Sequence, residues 1–203
     1  MIMKNQIFLG LIGPIASGKG FAGKHIEKKY GFKRIVMGDL IRAVARKKHV
    51  KPTREHLRKF QKEYTKKYGR DYFINLAIKK GKESGKKRIA IDGLRYPEQA
   101  RVAKKNSAII ILFTANPEIR FKREKERGRT GAPQTFQEFK KQEAKEWKIF
   151  HFKKTIEYAD YIINNDGTPQ ELYKKVDALM MKILKFSACR KSRGFSSMKK
   201  ILN

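Results

Sequence analysis

The 203 residues suffice for one substantial α/β domain and fall short of two independent ones. Lys and Arg number 50 against 19 Asp and Glu, a formal charge of +31; such a field gathers nucleotides and nucleic acids alike, and because the basic residues lie along every polar face it does not choose between them. The lone Cys189 excludes an internal disulfide, no apolar run is long enough to span a membrane, and the N-terminal apolar stretch reads as a strand instead of a cleavable signal, so a cytoplasmic protein without a membrane partner is expected.

Ile7-Phe8-Leu9-Gly10-Leu11-Ile12 is short and apolar, as a buried strand requires. It runs into Gly13-Pro14-Ile15-Ala16-Ser17-Gly18 before Lys19-Gly20-Phe21 opens a helical pattern through Ala22, Ile26 and Tyr30. The spacing G-x-x-x-x-G-K in a strand-to-helix turn is that of a phosphate cradle. Glycines let successive backbone N–H groups turn inward around an anion, and Lys19 adds a mobile positive charge beside the positive end of the helix. The bland alternative is an ordinary glycine-rich turn. Gly20 departs from the pattern, since Ser or Thr normally stands there to contact magnesium, and Phe21 brings no hydroxyl either. Phosphate binding is therefore expected of this loop, while direct metal ligation by it lacks a donor.

Gly31 ends that helix, and Phe32 to Met37 reads as a second strand delivering Gly38-Asp39-Leu40-Ile41-Arg42 at its carboxyl edge, where open parallel sheets bind ligands. Asp39 and Arg42 either meet a substrate there, the Arg42 fork suiting a phosphate, or serve as a helix cap and a solvated side chain. From Thr53 to Glu83 the pattern is helical, punctuated by Pro52 and Gly69, with apolar positions at Leu57, Phe60, Tyr64, Tyr68, Phe73, Leu76 and Ala77. Such a helical excursion between two strands is how an acceptor-binding lobe is built. His56 has no neighbour at metal-ligand spacing and reads as a surface residue. The third strand, Lys87 to Asp92, again ends in a carboxylate. Asp92 is the candidate metal group, directly or through the ion's water shell, and Arg95 follows to neutralise an acceptor phosphate; the alternative is a cap for the helix that starts at Pro97.

Ala108 to Phe113 is the most apolar run and lacks alternation, as for a central strand buried on both faces. A helix from Pro117 then carries Arg120, Arg123 and Arg127 at i, i+3 and i+7, and Gly128-Arg129-Thr130-Gly131 breaks it before a long helix from Phe136 to about Tyr158. These parts form a closing lid at about 120–146, or else the arginines pair with Glu124 and Glu126 on a solvated surface. Tyr161 to Asn165 is the fifth strand, and Asp166-Gly167-Thr168-Pro169 is a turn suited to an adenine ring before a last helix to about Lys185. Residues 186–203 read as a mobile basic tail that aids anion binding non-specifically or does nothing.

Five strands alternating with helices, the cradle after the first and carboxylates closing the second and third, give an α/β fold with a doubly wound parallel sheet. From about Ile7 to Leu184 the chain resembles the P-loop kinases of small metabolites, the nucleoside monophosphate kinase group that includes adenylate kinase and dephospho-CoA kinase, and most of all an archaeal-type set of predicted nucleotide kinases related to the latter. Gly18-Lys19-Gly20 is similar to the Gly-Lys-Gly of adenylate kinases, Gly38-Asp39-Leu40-Ile41-Arg42 to the segment whose arginine meets the acceptor monophosphate, and Asp92-Gly93-Leu94-Arg95 to Asp-Gly-Phe-Pro-Arg with one residue missing. The resemblance implies a P-loop NTPase domain over 1–185, a five-stranded parallel sheet flanked by helices, with acceptor-binding helices at about 39–85 and a lid. It implies ATP and Mg2+, the nucleotide held by Gly13, Pro14, Ile15, Ala16, Ser17, Gly18, Lys19, Gly20 and Phe21 with Gly167 and Thr168 on the adenine side, and the metal near Asp92. Asp39, Arg42 and Arg95 are the implied acceptor groups, and Lys19, Arg123, Arg127 and Arg129 the catalytic cations. Gln99 corresponds to the base-reading glutamine of adenylate kinases, whereas Gln142-Glu143-Ala144-Lys145 lacks the arginine of the second lid helix, so that Lys145 replaces it or the lid carries less charge. The implied reaction moves the γ-phosphoryl group of ATP to a nucleoside or deoxynucleoside monophosphate, with dephospho-CoA as the alternative acceptor. A reading of another class, an ATP-driven nucleic-acid-associated switch, draws on the charge alone, since no RNA-binding signature or aromatic platform accompanies it.

Overall fold

A helix-length segment follows each of the first four apolar runs, so the strands pair in parallel and not as hairpins. In the computed structural model, which describes residues 6–51, 53–128 and 131–192, they are β1 (Ile7–Ile12), β2 (Lys33–Val36), β3 (Arg88–Asp92), β4 (Ile109–Thr114) and β5 (Tyr161–Asn164). They form one five-stranded parallel sheet in the order β2-β3-β1-β4-β5. Pro52, Arg129, Thr130 and the tail from 193 onward lie outside the described residues. The register sets Leu11 of β1 and Val36 of β2 on either side of Asp92, so the carboxyl ends of these strands share one edge.

Strand alternation sorts the core into two layers. Leu9, Leu11, Ala90, Ile111 and Phe113 pack with Ile26 of α1 (Lys19–Tyr30) and Leu172 and Val176 of α9 (Pro169–Ser192). Phe8, Ile12, Ile89, Ile91, Ile110 and Leu112 pack on the other face, against Leu40 of α2 (Met37–Lys47), Phe73 and Ile74 of α4 (Tyr72–Glu83) and Ala100 of α5 (Pro97–Lys105). Cover on both faces explains the unbroken apolar run of β4, which lies one position from the sheet edge while β1 takes the centre.

The remaining helices stand over the carboxyl edge in two insertions. Between β2 and β3, α3 (Arg54–Tyr68) joins α2 and α4 in a helical lobe; between β4 and β5 lie α6 (Pro117–Glu126), α7 (Phe136–Phe150) and α8 (Phe152–Ile156). The Thr53 hydroxyl accepts the His56 N–H to start α3, and Thr135 and Glu138 form a reciprocal capping box on α7. Two expectations are corrected. The long helix from Phe136 to Tyr158 is broken at His151, whose left-handed φ of +50° ends α7 and lets α8 turn Phe152 into the core. The last helix runs to Ser192, so residues 186–192 are helical and not the start of a tail.

A polar cluster ties α1 to α9 on the first of these faces. Asp177 accepts hydrogen bonds from His25 at 2.6 Å, Lys29 at 2.7 Å and Tyr30 at 2.8 Å. Burial alone would raise the Asp177 carboxyl, but the bonds from Lys29, His25 and Tyr30 outweigh it and bring its pKa to about 2. Burial and the bond to Asp177 push the Tyr30 hydroxyl up to about 12. No helix among the described residues is long and apolar enough to cross a membrane.

Candidate active site

A cleft of about 430 Å3 opens at the carboxyl edge, its floor the turn from Gly13 to Gly20. A peptide group is planar, so a carbonyl held on one side turns the next N–H to the other. The Ile15 carbonyl accepts from Arg120 at 3.3 Å and the Ser17 carbonyl from Asn165 at 3.0 Å, so the N–H groups of Ala16 and Gly18 face away from those partners, as in an anion-binding nest. Ala16 holds a left-handed φ of +58°, and Gly18 one of +87° at a point where a Cβ would collide with the Asn165 amide. Ser17 lines the cleft with a buried hydroxyl that has no hydrogen-bond partner among the described residues. Backbone donors, an orphaned hydroxyl and the N-terminus of α1 suit the phosphates of a nucleotide. Phe21, expected beside them, is 52% exposed and does not line the cleft.

Lys19 reaches across the strand edge to Asp92, Nζ to Oδ1 at 2.8 Å. Arg34 of β2, which sequence reasoning passed over, holds the other oxygen through Nε at 2.9 Å and Nη2 at 2.5 Å. The Asp92 side chain is 2% exposed, so one carboxylate is buried between two cations. Gly23 makes the arrangement possible, because a Cβ there would stand 2.7 Å from Arg34 Nε and 3.2 Å from Asp92 Oδ2. Direct ligation of magnesium by Asp92 does not match this donor set. Both oxygens are engaged by cations, Gly20 and Phe21 have no hydroxyl, and among the described residues no group of three His, Cys, Asp or Glu could hold an ion.

On the side of α2 and α5 the cleft is lined by Arg42 and Arg95. Arg42 pairs with Asp39 within the first turns of α2, and Arg95 lies over the Phe150 ring, 5.0 Å from its centroid. Asp39 itself is exposed and does not line the cleft; its observed contact is to Arg42. Gln61 of α3 and Trp147 and Phe150 of α7 complete this end. Gln99 also borders the cleft, and its side-chain oxygen accepts the N–H groups of Arg95 and Tyr96 at the start of α5.

The lid arginines divide. Arg127 lines the cleft and contacts Glu124 at 3.4 Å. Arg123, expected to be catalytic, instead donates to the carbonyls of Asn165 at 2.8 Å and Gly167 at 2.9 Å and clamps the loop after β5. Arg129 lies outside the described residues. Arg120, buried, pairs with Glu143 of α7 and bonds the Ala115 carbonyl at 2.9 Å, joining both lid helices to the phosphate loop through Ile15. From the second lid helix Gln142, Glu143 and Glu146 line the cleft and Lys145 does not, so that helix adds no lysine or arginine to the wall. Gly167 and Thr168, expected at the adenine, do not line the cleft; Thr168 and Glu171 cap α9 reciprocally. The backbone N–H of Asn116 and the Asn164 amide hold Asp166, just before Gly167 in the loop, below the usual carboxylate range.

A family model described as AAA domain matches residues 12–140, from the end of β1 into α7. A UPF0200 protein of Thermococcus onnurineus is 32% identical over 178 residues, covering 85% of this chain and 95% of the relative. The chain belongs to the AAA domain family and to UPF0200. Among solved structures, shikimate kinase from Acinetobacter baumannii in complex with shikimate aligns with a TM-score of 0.59 at 18% identity, covering 87% of this chain and 94% of that one. Dephospho-CoA kinase from Campylobacter jejuni aligns with a TM-score of 0.53 at 16% identity, over 90% and 98%. At these identities the likeness is one of fold, that of the P-loop kinases.

Proposed function

We propose that this protein transfers the γ-phosphoryl group of ATP to a small nucleotide acceptor, a nucleoside or deoxynucleoside monophosphate. The observation that carries the reading is that one cleft joins the phosphate loop to a second set of cations, Arg42 and Arg95, beside the aromatic walls Trp147 and Phe150 and the amide of Gln61. A cleft with two anion-binding ends suits two phosphate-bearing substrates, and aromatic walls suit a planar base.

In this reading the loop N–H groups hold the β- and γ-phosphates, and Lys19 leaves Asp92 to join them. Arg42 and Arg95 hold the acceptor's phosphate so that one of its oxygens attacks the γ-phosphorus while the bond to the β-bridging oxygen breaks. Arg127 lies against the developing charge. The reaction needs alignment and charge neutralisation more than covalent chemistry. ADP release measured across nucleoside and deoxynucleoside monophosphates, shikimate and dephospho-CoA tests it. Stimulation by a monophosphate supports the reading; stimulation by dephospho-CoA or shikimate alone, or equal release without acceptor, overturns it.

A further inference from the structure

Position 20 is where a hydroxyl would normally reach a divalent cation from a phosphate loop. The φ of Gly20 is not in the left-handed region, and among the described residues outside its own turn of helix a Cβ would meet one atom within 4 Å, Arg34 Nη2 at 3.9 Å. The atom nearest that Cβ position thus belongs to a guanidinium. That guanidinium is fixed. Its Nε and Nη2 both bind Asp92 Oδ2, its side chain is 13% exposed, and Gly23 supplies the room for it against α1. The placement follows from the sheet register, since Arg34 pairs with Ala90 and so shares the α1 face of the sheet with Asp92, two residues on. Arg34 also lines the cleft beside the phosphate loop.

We propose that Arg34 is a built-in cation that stands in for the divalent ion at the phosphate loop, so that nucleotide binding by this chain is independent of magnesium. The inference rests on the nucleotide-binding reading of the cleft. When Lys19 moves to the phosphates, Asp92 keeps Arg34 as its partner. A guanidinium bound at Oδ2 repels a dication at the neighbouring oxygen and adds its own positive charge to the field around the phosphates.

Calorimetric titration of ADP into the full-length protein, once in excess magnesium and once in EDTA, tests this without relying on turnover. The wild-type affinity is expected to differ by less than about threefold between the two conditions. Arg34→Met is expected to lose about tenfold or more in EDTA, as for removal of one charge-assisted contact, and to recover in magnesium, where the ion can now reach Asp92. Arg34→Lys, which keeps the charge, restores binding in EDTA at least in part, and far-UV circular dichroism reports whether each variant is folded. Binding by the wild type at least tenfold tighter in magnesium overturns the inference, as does equal weakening of Arg34→Met in both conditions or no metal dependence in any variant. Absence of ADP binding in both conditions overturns it together with the nucleotide reading beneath it.

Discussion

Replacing Arg120 by methionine removes a guanidinium that serves both oxygens of Glu143 and the carbonyls of Ala115 and Ile15. The two side chains are 4% and 16% exposed, so neither charge has much water to fall back on. Methionine keeps most of the aliphatic volume, leaving electrostatics as the main loss, together with the contact to Phe139, whose ring centroid lies 5.4 Å from the guanidinium. Breaking a buried pair by deleting one partner costs about 3–5 kcal/mol, because the other charge stays buried and unpaired. Against a total of roughly 5–15 kcal/mol this is a large fraction, and at about 2–4 °C per kcal/mol for a chain of this size the melting temperature falls by roughly 6–20 °C. Deleting Glu143 as well, as Glu143→Met in the same chain, removes the stranded charge and is expected to recover most of that loss, the Ala115 and Ile15 carbonyls staying without the Arg120 donor. Guanidinium chloride unfolding of the parent, both single variants and the double variant gives these values from the shift in midpoint at unchanged slope. A loss below 1 kcal/mol for Arg120→Met, or a double variant less stable than either single one, would refute the reasoning.

Lys19→Ala removes the mobile cation of the phosphate loop and is expected to abolish acceptor-dependent ADP release; near-normal turnover would sink the assignment. Arg42→Ala should raise the acceptor KM with little change in the KM for ATP, whereas an unchanged acceptor KM would make Arg42 a surface residue paired with Asp39. Gly18→Ala must both strain a φ of +87° and displace Asn165, so nucleotide binding should fall by tenfold or more, checked by the same ADP titration. Asp177→Asn tests the α1–α9 cluster through pH. The folded carboxyl titrates at about 2 while an unfolded one titrates near ~3.9, so its stabilisation is complete above that value and disappears as pH falls through 2. Unfolding free energies should differ by about 2 kcal/mol near neutral pH and converge below pH 2; a gap that is constant with pH would contradict the account.

The strands and the phosphate loop were legible in the sequence because their signals are local. Ile7 to Lys19 carries strand, turn and helix start within one short stretch, and Asp92 closes a run whose apolar residues can only be a strand. Arg34 was not legible in this way. Flanked by Lys33 and Ile35 it reads as a surface residue, and only the pairing of β2 with β3, a contact between Arg34 and Ala90 far along the chain, aims it at Asp92. The partners of Arg120 and Arg123 were not legible for a related reason. A helix period places Arg120, Arg123 and Arg127 near one face but does not say what lies opposite. The structure supplies Glu143 for the first, two loop carbonyls for the second and the cleft only for the third. The kink at His151 gave no warning either, because a left-handed histidine has no glycine or proline to mark it.

Transfer of a phosphoryl group from ATP to a nucleotide acceptor is tested by following the label. The protein is incubated with ATP labelled in the γ-phosphate, with each monophosphate in turn and with none, and the products are separated. Label is expected in the matching diphosphate, dependent on Lys19 and on one preferred acceptor. Label recovered only as inorganic phosphate, at the same rate with and without acceptor, would contradict it.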